Sequence, residues 1–244
     1  MRRFAYERPG TLAEASRLLL EAGADARVLA GGTDLVVGLR DDSVQPSVVV
    51  DIKWIEELGG PALVKDGDTI RFSALATMAQ IEHSPVVLTF LPALAEAARV
   101  VGSVQIRNRA TLAGNVCNGS PAADTVPPQL LHEAVVIIAG PEGERRLSID
   151  DFMLGARRSG PDKRVVDLRP GELVAAIEIP VPASDFSAAY TRLVRRKGTD
   201  LASITLGVSV DGSGVTQVAY GSVGPRAFLT ADESGLLADP TADP

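Results

Sequence analysis

The chain has 244 residues, 45% of them hydrophobic and 4% aromatic, and 24 basic against 31 acidic side chains give it a formal net charge of −7. That balance excludes a nucleic-acid binder, which needs a clustered basic surface to neutralise phosphates, and no apolar run approaches the ~20 residues of a membrane span. One cysteine, Cys117, excludes a disulfide framework within the chain and an iron–sulfur cluster held by this chain alone.

The two histidines, His83 and His132, stand far apart without cysteines or paired carboxylates nearby, so a metal site is not expected. Arg145-Arg146, Arg157-Arg158 and Arg195-Arg196-Lys197 are short basic patches that read as solvated faces or subunit contacts. The opening residues, Met1 to Gly10, have no signal-peptide pattern, and the expected compartment is the cytoplasm.

In chain order, Thr11 is placed to cap a helix with Glu14 at its third residue and Leu12, Ala15, Leu18, Leu19 and Ala22 at helical spacing; Gly23 stops it. Residues 27–30 read as a short buried strand, a Gly-Gly turn follows, and residues 47–52 read as the next strand after Pro46. Asp66-Gly67-Asp68 is a hairpin turn between strands at 62–64 and 70–74. A helix starts at Thr77, a second spans 91–101 with Pro92 near its start, and a third starts near Asp124 and carries Leu130, Leu131 and Ala134. Strands at 134–139 and 145–148 flank Pro141-Glu142-Gly143, and a strand at 173–179 leads to the linker Pro180-Val181-Pro182. Beyond it, 187–196, 204–210 and 215–220 alternate as strands, and 238–244 reads as a frayed polar end. Three units result, 1–55, 56–179 and 180–244, in an α+β chain without the βαβ alternation of a doubly wound fold.

Two stretches carry chemistry. Ala30-Gly31-Gly32-Thr33-Asp34-Leu35 lies between the apolar runs Val28-Leu29 and Val36-Val37. Adjacent glycines can present successive backbone N–H groups to an anion, Thr33 adds a hydroxyl and Asp34 an acceptor for the turn itself. Taken alone, such a turn is equally a tight connection between two buried strands. About eighty residues later comes Thr111-Leu112-Ala113-Gly114-Asn115-Val116, continuing through Cys117, Asn118, Gly119 and Ser120 to Asp124. Its small residues, hydroxyls and amides let a backbone approach a ligand and donate to it, so two donor-rich turns could grip the two phosphates of a pyrophosphate. A Gly-x-Gly-x-x-Gly fingerprint, a P-loop and a Gly-x-Ser-x-Gly elbow are all missing from the sequence, which removes support for nicotinamide, nucleotidase and serine-hydrolase readings.

Taken together and in order, these residues resemble the flavin-binding subunit of the molybdenum hydroxylases, the family of carbon monoxide dehydrogenase and xanthine dehydrogenase, over nearly the whole chain. The resemblance implies a two-part FAD-binding domain of the PCMH type, residues 1–55 and 56–179. A smaller α+β domain of the carbon monoxide dehydrogenase flavoprotein type, 180–244, would follow. It implies non-covalent FAD on Leu29, Ala30, Gly31, Gly32, Thr33, Asp34 and Leu35 and on Thr111, Ala113, Gly114 and Asn115, with Asn118, Ser120 and Asp124 along the cofactor. A family pattern matched by Leu168, Glu172, Leu173 and Val174 implies Leu173 and Val174 beside the flavin ring, where an ordinary buried strand is the competing reading. Relatives often carry a lysine near Thr191 or Arg192; here Arg192 is the cation in that place, and a solvated strand position competes with a flavin contact. Tyr220-Gly221-Ser222-Val223-Gly224-Pro225 fits the family, whereas Arg226-Ala227-Phe228-Leu229 is shortened against it and the family's C-terminal helices do not follow.

The implied partners are a molybdopterin-binding large subunit and a small subunit with 2Fe-2S clusters, in a dimer of heterotrimers, and no catalytic residue falls to this chain. Two rivals stand beside this reading. A free-standing flavin oxidase of the vanillyl-alcohol-oxidase type often links flavin through histidine, but neither His83 nor His132 lies in a glycine-rich segment. A flavin-less bridging subunit would not need Gly31-Gly32 or Gly114-Asn115 intact.

Overall fold

The computed structural model describes residues 2–155, 164–196, 198–232, 234, 235, 237 and 241. Arg157-Arg158, Lys197 and most of the polar end lie outside these residues.

The first unit is built on a parallel sheet of β1 (Ala5–Glu7), β2 (Ala26–Leu29) and β3 (Val48–Asp51), in the order β1-β3-β2. Helix α1 (Leu12–Ala22) forms the crossover from β1 to β2. Its ends are local in origin: the Thr11 hydroxyl accepts the Glu14 N–H at 3.1 Å, and Gly23, at φ +55°, returns its N–H to the Leu19 carbonyl. Glu14 reaches back to the N–H of Gly10 at 2.8 Å, one residue before the cap. After β2 the chain departs from expectation. Val36 and Val37 lie on an exposed helix, α2 (Leu35–Arg40), not in a second buried strand.

The second unit holds a five-stranded antiparallel sheet, in the order β4-β5-β8-β6-β7, of β4 (Leu63–Asp66), β5 (Thr69–Ser73), β6 (Val135–Gly140), β7 (Gly143–Ser148) and β8 (Leu173–Pro180). Central β8 is buried along residues 173–177, as its unbroken apolar run requires. Between β5 and β6 run α3 (Met78–His83), α4 (Pro85–Phe90), α5 (Pro92–Arg99), α6 (Val104–Arg107), α7 (Leu112–Cys117) and α8 (Val126–Leu131), and α9 (Ile149–Phe152) follows β7. Residues 111–115, expected as a turn, are the N-cap and first part of α7: the Thr111 hydroxyl accepts the Gly114 N–H at 3.0 Å. Arg145 is not a solvated basic residue: its guanidinium takes both oxygens of Glu172, at 3.0 and 2.7 Å, and reaches Asp167 at 3.1 Å.

The third unit is an antiparallel sheet, in the order β12-β11-β10-β9, of β9 (Ser187–Val194), β10 (Ala202–Val210), β11 (Thr216–Gly221) and β12 (Phe228–Asp232). Sequence reading stopped short of β12. Helices α5 and α8 pack on this sheet. Gly207 in β10 admits α8, since a Cβ there would stand 2.9 Å from Leu131 Cδ1.

At the end of α8, His132 is 5% exposed, lies 5.1 Å from the Phe186 ring centroid, and leaves its Nε2 without a partner among the described residues. Burial lowers its pKa from 6.5 to about 4. The unfolded chain therefore takes up the proton first as pH falls, and stability is lost between about 6.5 and 4, by up to about 3 kcal/mol. Urea midpoints measured across that window should fall in the parent chain and flatten in His132→Gln. A parent midpoint constant down to pH 4 would show the imidazole to be solvated.

Candidate functional site

The glycine turn follows β2 at the carboxyl edge of the parallel sheet. Gly32 has φ +76°, a conformation that L side chains resist. Among the described residues, the backbone N–H groups of Gly32, Thr33 and Asp34 have no acceptor. Asp34 does not cap the helix that follows; its carboxylate takes the Thr33 hydroxyl and the Asn118 amide, each at 3.5 Å.

The residues just before the second segment meet this turn at Gly31. A Cβ on Gly31 would overlap the Arg109 carbonyl group, standing 2.7 Å from its carbon and 3.1 Å from Ala110 Cα. Two stretches some eighty residues apart in sequence therefore lie backbone against backbone, and only glycine permits the approach. Leu112 donates its N–H to Ala76, whereas the Ala113 N–H has no acceptor among the described residues. Gly114 is exposed. The Asn118 to Asp34 bond joins the strips again further along. These donors suit the oxygens of an anionic diphosphate, so the residues present fit that part of a dinucleotide cofactor.

Farther along, Asp124 is enclosed by β9. Its carboxylate accepts the Tyr190 hydroxyl at 2.6 Å and the Arg192 guanidinium at 3.2 and 3.3 Å, and the side chains of Arg192 and Asp124 are only 13% and 12% exposed. Arg192 is thus a partly buried ion-pair partner and not a solvated strand residue. Burial raises the Asp124 pKa against the opposing pull of Tyr190 and Arg192, and burial with the neighbouring carboxylate holds Tyr190 protonated. Asn115 Oδ1 accepts the Thr125 hydroxyl at 2.8 Å, and the Ser120 hydroxyl accepts the Ala122 N–H at 3.2 Å. Cys117 lies inside α7, and burial pushes its thiol up to about 12, so it is no thiolate at neutral pH.

Leu173 and Val174 are buried in β8, paired with Ala139 and Ile138 of β6, in the same core as Leu112, Ala113 and Val116. Both are buried strand positions. Tyr190, Thr125 and the Asp51–Lys53 pair, whose ammonium also reaches the Ala30 carbonyl at 3.2 Å, contact the candidate residues and were missed by sequence reasoning. Their partners are remote in sequence or carry no motif.

Residues 2–182 match the family described as the FAD binding domain in molybdopterin dehydrogenase. The chain belongs to this family. It is 33% identical over 230 residues to the carbon monoxide dehydrogenase medium chain of Hydrogenophaga pseudoflava, covering 93% of this chain and 77% of that one. It is 34% identical to the nicotinate dehydrogenase FAD-subunit of Eubacterium barkeri, covering 96% and 79%. In three dimensions it matches a carbon monoxide dehydrogenase structure from Hydrogenophaga pseudoflava with a TM-score of 0.85 at 30% identity, covering 97% of this chain and 84% of that one. Quinoline 2-oxidoreductase from Pseudomonas putida 86 matches with a TM-score of 0.82 at 28% identity, covering 93% and 77%. The expected α+β fold and family are borne out, and the chain is an FAD-binding component of a molybdopterin-dependent oxidoreductase. Among the described residues, no helix is long and apolar enough to cross a membrane.

Proposed function

We propose that this chain is the electron-transfer subunit of a multi-subunit molybdenum hydroxylase, with its FAD non-covalently held across the two segments that meet at Gly31. The contact between Gly31 and Arg109 carries this reading, because it turns two separate donor-rich stretches into one strip of available N–H groups. In this reading Leu29, Ala30, Gly31, Gly32, Thr33, Asp34 and Leu35 hold the diphosphate together with Thr111, Ala113, Gly114 and Asn115. Asn118, Ser120 and Asp124 lead towards the ring, Arg192 sets the charge there, and Leu173 and Val174 shield it from water. The units 1–55, 56–179 and 180–244 would be the two parts of the FAD domain and a C-terminal domain.

Bound FAD supplies a carrier that accepts electrons one at a time and passes them on in pairs. The chain's own residues bind it, orient it and exclude water. Arg192, paired with the Asp124 carboxylate that also takes the Tyr190 hydroxyl, keeps a positive charge in place. The names of the relatives as medium chain and FAD-subunit support the presence of further subunits; in this reading they are a large subunit with molybdopterin and a small subunit with 2Fe-2S clusters, two such heterotrimers forming a dimer in the cytoplasm.

Reconstitution of the purified chain tests the cofactor assignment. One FAD per chain should bind, and acid precipitation should release it whole into the supernatant. Flavin remaining with the precipitate would mean a covalent bond, and no flavin absorbance at all would favour the bridging-subunit rival.

A further inference from the structure

Side chains alternate between the two faces of the third-unit sheet, and the alternation separates their chemistry. One face turns Gly207 and Gly221 towards α8, where an added Cβ would meet Leu131 or Pro127. On the opposite face the register sets Leu193 against Ile204, Val208 against Val218 and Leu206 against Tyr220. The Tyr220 ring stacks on Phe228 of the next strand, 5.4 Å between centroids and 24° between planes. Among the described helices, those that pack on this sheet are α5 and α8; α5 meets the edge strand β9, where Glu96 accepts the Tyr190 N–H at 3.0 Å. That leaves the apolar face without a covering helix among the described residues. Leu193 is 62% and Ile204 39% exposed, and Leu206, Val208, Tyr220 and Phe228 are only half-buried.

Charge decides what such a face accepts. Among the described residues of its rows, the first charged side chain is Asp232, at the margin opposite Thr216. With neither cation nor carboxylate in the apolar rows, the face offers nothing to a lipid headgroup or a charged peptide. A second copy of the chain is different. The net charge of −7 makes copies repel one another across an acidic surface, and a face free of carboxylates is where they can approach. Two such sheets pack about 10 Å apart with their side chains interdigitated. Four strands ~4.8 Å apart, with ~6 residues each at ~3.4 Å per residue, give a face of roughly 400 Å², and with side-chain relief two copies bury on the order of 1,000 Å². That is the lower bound of a specific interface and the size of a reversible dimer.

We propose that the chain self-associates through this face, two copies packing their third-unit sheets together about a two-fold axis. The contact leaves the candidate cofactor segments open, because Tyr190 and Arg192 reach Asp124 from the other face of β9. It stands independently of the cofactor assignment.

Sedimentation equilibrium of the full-length chain between about 1 and 100 µM tests this. The mass should rise from that of one 25.5 kDa chain towards twice that value. Leu193→Lys, at a position exposed enough to take a charge without disturbing the single chain, should raise the dimer Kd about tenfold or more, and Val208→Lys at the centre of the face should abolish association. Leu88→Lys on α4, 54% exposed, is the control and should leave the Kd unchanged. Leu193→Lys decides the question even where Val208→Lys does not fold. A chain that keeps a single-chain mass to about 100 µM overturns the inference. So does a dimer whose Kd in Leu193→Lys stays within about twofold of the parent, since another surface then holds it. A lone chain that stays monomeric and has this face shielded only once other subunits are added gives the face to a partner and overturns the inference as well.

Discussion

Gly31→Ala is expected to cost the chain its FAD. The added Cβ would overlap the Arg109 carbonyl, a backbone group that no rotamer change can move aside, so the two segments must separate. Overpacking of this kind costs about 1–3 kcal/mol, and here it falls on the contact that aligns the donors, so the FAD Kd should rise at least about tenfold. Gly32→Ala is the instructive comparison. Its φ of +76° adds strain of about 1 kcal/mol, but the neighbour at 2.8 Å is the flexible end of Leu29, which can rotate away. Isothermal titration of the two variants should rank Gly31→Ala as the more damaging. Unchanged affinity in Gly31→Ala would show that FAD does not need the two segments joined.

The second large effect lies at Asp124. Removing its carboxylate by Asp124→Ala leaves the Arg192 guanidinium and the Tyr190 hydroxyl without their acceptor in a site where both are largely enclosed. Breaking one side of a buried pair costs about 3–5 kcal/mol, and the partial exposure here points to the lower end. Asp124→Asn keeps an acceptor for Tyr190 and should cost less. Urea unfolding of the cofactor-free protein separates this from any effect on FAD. A loss in Asp124→Ala below about 0.5 kcal/mol would mean that Arg192 is well solvated after all.

How much of this could be read from the sequence depended on whether the signal was local. Thr11, Glu14 and Gly23 define α1 within its own residues, and Gly143 closes the β6–β7 hairpin in the same way. α2 escaped notice because its Val36 and Val37 form an apolar, β-branched pair that faces outward. α6 and α7 were hidden in a polar stretch whose caps, Ser103 on Ile106 and Thr111 on Gly114, resemble the turn residues around them. The segments that bind were legible as glycine and small polar runs, but what holds them together was not. Gly31 meets Arg109, Asn118 meets Asp34 and Arg192 meets Asp124 across long stretches of chain, and no spacing rule encodes such pairs.

One experiment tests the electron-transfer assignment directly. The full-length chain, loaded with FAD, is mixed anaerobically with an aldehyde, an aromatic N-heterocycle or carbon monoxide while flavin absorbance is followed, first alone and then with the molybdenum and iron–sulfur subunits. Among the described residues no group of histidine, cysteine and carboxylate side chains can hold a metal ion, and in this account the electrons reach the flavin from centres on the partner chains. The flavin of the lone chain should stay oxidised and bleach only once the partners are added. Rapid bleaching of the lone chain would show a self-sufficient oxidoreductase and contradict the assignment.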